Sequence, residues 1–229
     1  MDIQQIDPQR GYDLWADRYD ETENPVVWID GHIMSARLRL RPGERVLDAG
    51  CGTGRYFGTL LEQQAALVGV DFSAGMLRVA HRKHPGVALA QADLQRDWPF
   101  ADGAFDTVIC ALVGEHLGTL DHDFAEMRRV LRPRGRVIFS VYHPAMAAAG
   151  KEARFFSGDT EFRLGAFRHV TDDYTIALER AGFQGITIDE YTGNEALAAA
   201  MPAQAKYVGF PMLLIVEATA GDTPAGVEE

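Results

Sequence analysis

The sequence predicts an α/β fold, a mostly parallel sheet with helices on both faces. Two observations carry this reading. From residue 45 onward, short apolar runs alternate with stretches of helical spacing. In "VLDAGCGTGRY" (46–56), an acid and three glycines stand where the first run passes into a helical stretch. The 229 residues suit one large domain with an accessory cover.

Each element follows in order. Beyond a polar opening, "GYDLWADRYDE" has helical spacing, with Tyr12, Trp15 and Tyr19 on one face. Residues 1–44 are read as an N-terminal helical cap. The main domain, 45–219, begins with strand "RVLDAG", helix "RYFGTLLEQQ", strand "ALVGVDF", helix "SAGMLRVAHRKH" and strand "VALAQAD". Ser73 suits the N-cap of the second of these helices. Strand "FDTVICAL", helix "DHDFAEMRRVL" and strand "GRVIFSVY" continue the alternation. Residues 143–170 break it. This insertion carries an "SGD" turn signal between two segments able to pair as a hairpin, and its length predicts a lid or binding loop. Helix "DDYTIALERAGF" follows, then strands "GITIDEY" and "PMLLIVEAT", with 220–229 read as a flexible tail.

Composition excludes several classes. The net charge of −11 disfavours nucleic acid as a partner, and no apolar run is long enough to span a bilayer. The opening "MDIQQIDPQRGYDLW" is polar and reads as no export signal, so the expected location is cytoplasmic. Cys51 and Cys110 form no CxxC pair, and no His, Cys and carboxylate cluster has metal-ligand spacing, so no metal is expected. A homodimer is left open.

Glycines at a strand-to-helix turn let backbone amides approach a ligand closely. A dinucleotide fingerprint needs a small residue where this chain has Arg55. The acid-first pattern Asp48, Gly50, Cys51, Gly52, Gly54 instead resembles the first motif of the class I, Rossmann-like S-adenosylmethionine-dependent methyltransferases. Four later segments match that family in order: "VGVDFSAGML", "AQADLQRDWPF", "FDTVICALVGEHL" and "LRPRGRVIFS".

The resemblance implies a seven-stranded sheet ending in an antiparallel hairpin, and S-adenosylmethionine as cofactor, with S-adenosylhomocysteine as product. It places Asp71 on the ribose hydroxyls, with Phe72 and Met76 in the same segment. It places Asp93 and the Leu94 amide at adenine, and Ala111 and Leu112 near the methionine end. Tyr12 and Tyr19 inherit a place near the sulfonium. The cap and lid would cover the site and set the substrate.

The reaction so implied is an in-line displacement, in which positioning can supply roughly 7–11 kcal/mol of the barrier. If the acceptor must lose a proton, His116 and His143, at the ends of the fourth and fifth strands, are the candidate bases; each also has a packing or turn-bonding reading. Glu115 reads more readily as a loop acid than as a base. The acidic charge and the phenylalanines of the insertion suggest a small, aromatic or apolar acceptor, as in secondary metabolism; Phe155, Phe156, Phe162 and Phe167 would equally serve to seal the lid. The alternatives are a nucleotide-dependent oxidoreductase on a related fold and a non-catalytic protein that binds the cofactor.

Overall fold

In the runs 46–49 and 107–111, apolar and small residues occupy successive positions, so these segments must be covered on both faces. They form the centre of a seven-stranded sheet in the computed structural model, which describes residues 2–222. In chain order the elements are β1 (Asp2–Gln5), α1 (Pro8–Trp15), α2 (Pro25–Arg37), β2 (Arg45–Ala49), α3 (Phe57–Glu62), β3 (Ala66–Asp71), α4 (Ala74–Lys83), β4 (Ala88–Gln91), β5 (Phe105–Ala111), α5 (Leu120–Val130), β6 (Leu131–Tyr142), α6 (Pro144–Ala148), β7 (Arg154–Ser157), β8 (Thr160–Arg163), α7 (Thr171–Arg180), β9 (Phe183–Thr192), α8 (Glu195–Ala200) and β10 (Pro211–Ala220).

The large sheet has the order β4-β3-β2-β5-β6-β10-β9. Strands β2 to β6 are parallel, and β10 runs antiparallel to both β6 and β9, which is the terminal hairpin. In the register, Leu47 faces Val68 on one side and Val108 on the other. The strand order reverses between β2 and β5, and ligands of open α/β sheets bind outside the carboxyl ends of strands at such a switch.

Side chains alternate between two cores. Leu47, Val108, Cys110 and Phe139 pack with Phe124 and Met127 of α5 and with Leu178 of α7. Val46, Ile109 and Ile138 pack on the other face with Phe57 and Leu60 of α3 and with Val26, Ile29 and Met34 of α2. Phe57, Phe124 and Phe139 are fully buried, and truncating any of them to Ala would cost about 3–5 kcal/mol.

The stretch read as a helical cap, 1–44, divides in two. Helix α2 is part of the main core. Residues 2–21 lie against the insertion, where β1 pairs in parallel with β8 and β8 pairs antiparallel with β7, giving a separate three-stranded sheet. Beneath it Phe155 stacks between Trp15 and Phe162, with ring centroids 5.3 and 5.2 Å away. The sequence hid β1 because all four of its residues are exposed and polar patterning gives no alternation. Helix α8 was also unread; Asn194 caps it, accepting the Leu197 amide at 2.9 Å.

The tail reading needs correction at its start. Ala220 still pairs with Phe183, the Gly221 amide donates to the Gly182 carbonyl, and Asp222 meets Arg134. Residues 223–229 lie outside the described residues. Among the described residues no helix is long and apolar enough to cross a membrane, and no group of three or more His, Cys, Asp or Glu is placed to hold a metal.

Candidate active site

Three loops meet at the switch point: the glycine turn after β2, the exit of β3, and the exit of β5. Between them lies a cleft walled by Gly50, Gly52, Asp71, Phe72, Leu94 and Leu112. The glycine turn is anchored by the amides of Gly50 and Cys51, which both donate to the Val70 carbonyl at 2.8 and 2.9 Å. Gly50 has φ +75°, and a Cβ there would collide with Val113 on the β5 exit. Gly52 has φ +54°, but a Cβ there would meet nothing within 4 Å. One glycine is thus demanded by packing and the other leaves backbone bare to the cleft.

Asp71, 6% exposed, ends β3. Its Oδ2 accepts the Gly52 amide at 2.9 Å and its Oδ1 the Ser73 amide at 2.8 Å. Burial outweighs these bonds and pushes its carboxyl up to about 6. Asp48 lies beneath the turn, 2% exposed, with Oδ2 buried and unpartnered among the described residues. Burial raises it to about 7, partly offset by Arg55. Phe72 and Met76 line the cleft beyond Asp71. Asp93 and Leu94 form its next wall; Asp93 is exposed, its Oδ1 accepting the Gln95 amide at 3.0 Å. Ala111 and Leu112 supply the β5 side, with Leu112 held at φ +55°, an unusual conformation for a branched side chain and one that clusters at functional sites.

Cys51 and Gly54, by contrast, face the core. The Cys51 thiol is buried and pushed up in pKa by that burial, which leaves it protonated and inert. A Cβ on Gly54 would strike the Phe57 ring.

The N-terminal segment closes over the cleft through bonds that no local pattern announced. The Thr53 hydroxyl donates to Asp20 at 2.6 Å, and Arg55 bonds Asp30 at 2.6 Å, with the Tyr56 hydroxyl donating to the same oxygen. Asp13 Oδ1 accepts the Ser73 hydroxyl at 2.7 Å and the Gly75 amide at 2.8 Å, so α1 caps α4. Tyr12 and Tyr19 line the cleft from this side, and the Tyr12 hydroxyl pairs with His116. Burial pushes His116 down to about 4 and the Tyr19 phenol up to about 12, so both are neutral near pH 7.

His143 is not among the residues that line the cleft. Its Nδ1 accepts the Ala145 amide at 3.0 Å, capping α6, while Nε2 points toward Glu190 of β9 at 3.5 Å. A histidine immediately before a helix-opening proline is recruited as a cap, which turns its ring away from the cleft mouth where the strand-end position alone had put it. Val113, Gln95 and Leu117 also line the cleft and carried no sequence signal.

Fold and cleft together define an α/β protein with a cleft at its switch point, floored by bare glycine backbone and a strand-end carboxylate. Residues 47–139 match a family described as a methyltransferase domain. A demethylmenaquinone methyltransferase of Corynebacterium kroppenstedtii is 31% identical over 208 residues, 81% of this chain and 89% of that one. The chain belongs to the class I, Rossmann-like S-adenosylmethionine-dependent methyltransferases. A demethylmenaquinone methyltransferase of Beutenbergia cavernae is 36% identical, over 57% of this chain; the match spans only 56% of that relative's length. Among solved structures, an S-adenosylmethionine-dependent methyltransferase from Mesorhizobium loti superposes with TM-score 0.69 at 23% identity, covering 85% of this chain and 97% of that one. The [4+2]-cyclase SpnF superposes equally well, at 0.69 and 20% identity over 97% of this chain and 100% of its own. The shared fold therefore does not by itself set the reaction.

Proposed function

We propose that the chain transfers a methyl group from S-adenosylmethionine to a small aromatic or apolar acceptor. The observation that carries this is the pairing of open backbone at Gly52 with the Asp71 carboxylate 2.9 Å away, above an orphaned buried oxygen of Asp48. These residues fit the cofactor. Asp71 retains lone pairs for two ribose hydroxyls, Gly52 leaves room for the amino acid moiety, and Asp48 supplies negative charge below it. Asp93 and the Leu94 amide would hold adenine, flanked by Phe72 and Met76, and Ala111, Leu112 and Tyr19 would enclose the reacting end.

When bound, the cofactor supplies an electrophilic methyl group on a sulfonium. The chain's own part is to hold the acceptor in line and to keep water out. Tyr12 and the His116 ring it bonds close one side of that space. The tyrosine-rich walls support an aromatic acceptor, as do relatives named for demethylmenaquinone. Oxygen, nitrogen and carbon nucleophiles all suit this geometry, within the cytoplasm and with no metal.

Two measurements test the reading. S-adenosylhomocysteine at about 100 times its dissociation constant should stabilise the fold by roughly 2.7 kcal/mol. Methyl-labelled S-adenosylmethionine incubated with a metabolite extract should label a small molecule; absence of both effects would refute the proposal.

A further inference from the structure

Glu115 lies in the single 3-10 turn Gly114–His116 after β5. It is 7% exposed, its Oε2 is buried without a hydrogen-bond partner among the described residues, and no cation forms a salt bridge with it. Such a group calls for a partner supplied by a ligand, a water or the chemistry. Burial raises the hydroxyl pKa of Tyr12, Tyr19, Tyr142 and Tyr174, which come from separate parts of the chain, and the charge of Glu115 adds to each. Tyr142 is fixed in turn by the Asn24 amide nitrogen, which donates to its hydroxyl at 2.7 Å.

The backbone carbonyl of Glu115 accepts the Phe167 amide at 2.8 Å, which fastens the segment after β8 to this residue. On either side of that fastening Glu115 lines a cavity, one shared with Tyr142, His169 and Tyr174, the other with Phe72 and His116 of the cleft. It therefore stands between the cleft and the space under the lid.

We infer that Glu115 is the base of the reaction, taking the O–H or N–H proton of an acceptor lodged under the lid. The inference rests on the methyl-transfer reading above. A lone pair of the acceptor forms the new bond to the methyl carbon, and the carbon–sulfur pair returns to sulfur. The acceptor's proton goes to Glu115, so the sulfonium's positive charge and the carboxylate's negative charge vanish together.

His116 is poorly suited to that task, being held neutral by burial at about 4 with Nε2 committed to Tyr12. Burial pushes Glu115 up to about 8, with Asp30 adding in the same direction, and a base titrating near the working pH is the more effective. The other titratable groups nearby are His169, whose Nε2 meets the Leu117 carbonyl at 2.7 Å, Lys151 and Glu152 on the far wall of the lid cavity, and Asp7 and Asp93 in the cavity on the cleft side. Glu115 is mainly a neutral acid at pH 7, so transfer accelerates as pH rises through about 8.

The test compares wild type with Glu115→Gln in three ways: melting with S-adenosylhomocysteine, the pH dependence of the acid carbonyl band in the infrared difference spectrum, and label transferred to a metabolite extract. Both proteins should gain stability from S-adenosylhomocysteine. The wild-type acid band should fade with a midpoint near 8. Label transfer should fall by about 10²- to 10⁴-fold in the variant. A band that fades near the ordinary carboxylate value of about 4, or wild-type transfer by Glu115→Gln, would overturn the inference. If wild type shows neither stabilisation nor transfer, the methyl-transfer reading itself falls. Should the Gln variant not fold, Glu115→Asp keeps the acid on a shorter arm and should retain a pH-dependent but slower transfer; pH-independent transfer would count against the base.

Discussion

The Tyr12 hydroxyl lies 2.9 Å from His116 Nε2, joining residues 104 positions apart across the mouth of the cleft. Burial keeps the imidazole neutral, so one ring nitrogen needs a partner throughout the physiological range. Tyr12→Phe leaves that nitrogen unpaired and should cost about 1–3 kcal/mol, seen as a lower urea midpoint at unchanged slope.

Cofactor affinity should fall in acid. Asp71 titrates at about 6 in the ligand-free protein, and its ionised form is the one that accepts ribose hydroxyls. Calorimetric affinity for S-adenosylhomocysteine should weaken by up to roughly tenfold per pH unit below that value. In Asp71→Asn the affinity should be lower and this pH dependence should disappear.

Asp48 predicts the opposite trend for stability without ligand. Its carboxyl sits at about 7 in the folded protein, against roughly 3.9 unfolded, so the folded state holds the proton longer. Its contribution to stability is greatest below about pH 4 and is lost as pH rises toward 7. Asp48→Asn, which removes the buried charge, should be more stable than wild type at pH 8 by a margin on the order of a few kcal/mol, closing by about pH 4.

Gly50 and Gly52 should fail differently. In Gly50→Ala the new methyl group collides with Val113 at φ +75°, so the ligand-free fold itself should be destabilised. In Gly52→Ala the methyl group enters open cleft, so the cost should be limited to backbone strain of about 1–3 kcal/mol while cofactor binding is lost. Paired melting curves with and without S-adenosylhomocysteine distinguish the two.

The sheet and the ligand cleft were legible in the sequence because both are written locally. A doubly covered strand shows successive apolar residues, and a backbone opened to a ligand shows glycines at fixed offsets from an acid. The cover was not legible, because its determinants are contacts between distant segments. β1 is short and exposed throughout, and is a strand only because β8 lies beside it. Likewise nothing local in the sequence marks the bonds that Asp13 makes to α4 and Asp20 makes to the glycine turn. His143 shows the converse failure: its position at a strand end was read correctly, but its ring is turned by a cap bond two residues away. Glu115 read as a loop acid because sequence spacing carries no measure of burial.

The most direct test of the account is equilibrium binding of S-adenosylhomocysteine by calorimetry to wild type and to Asp71→Ala, in parallel. The account predicts saturable binding at one site in wild type and its loss in the variant, which stays folded without ligand while giving up the bonds to the Gly52 and Ser73 amides, at about 1–3 kcal/mol each. Absence of binding to folded wild-type protein, or undiminished binding to Asp71→Ala, would contradict it.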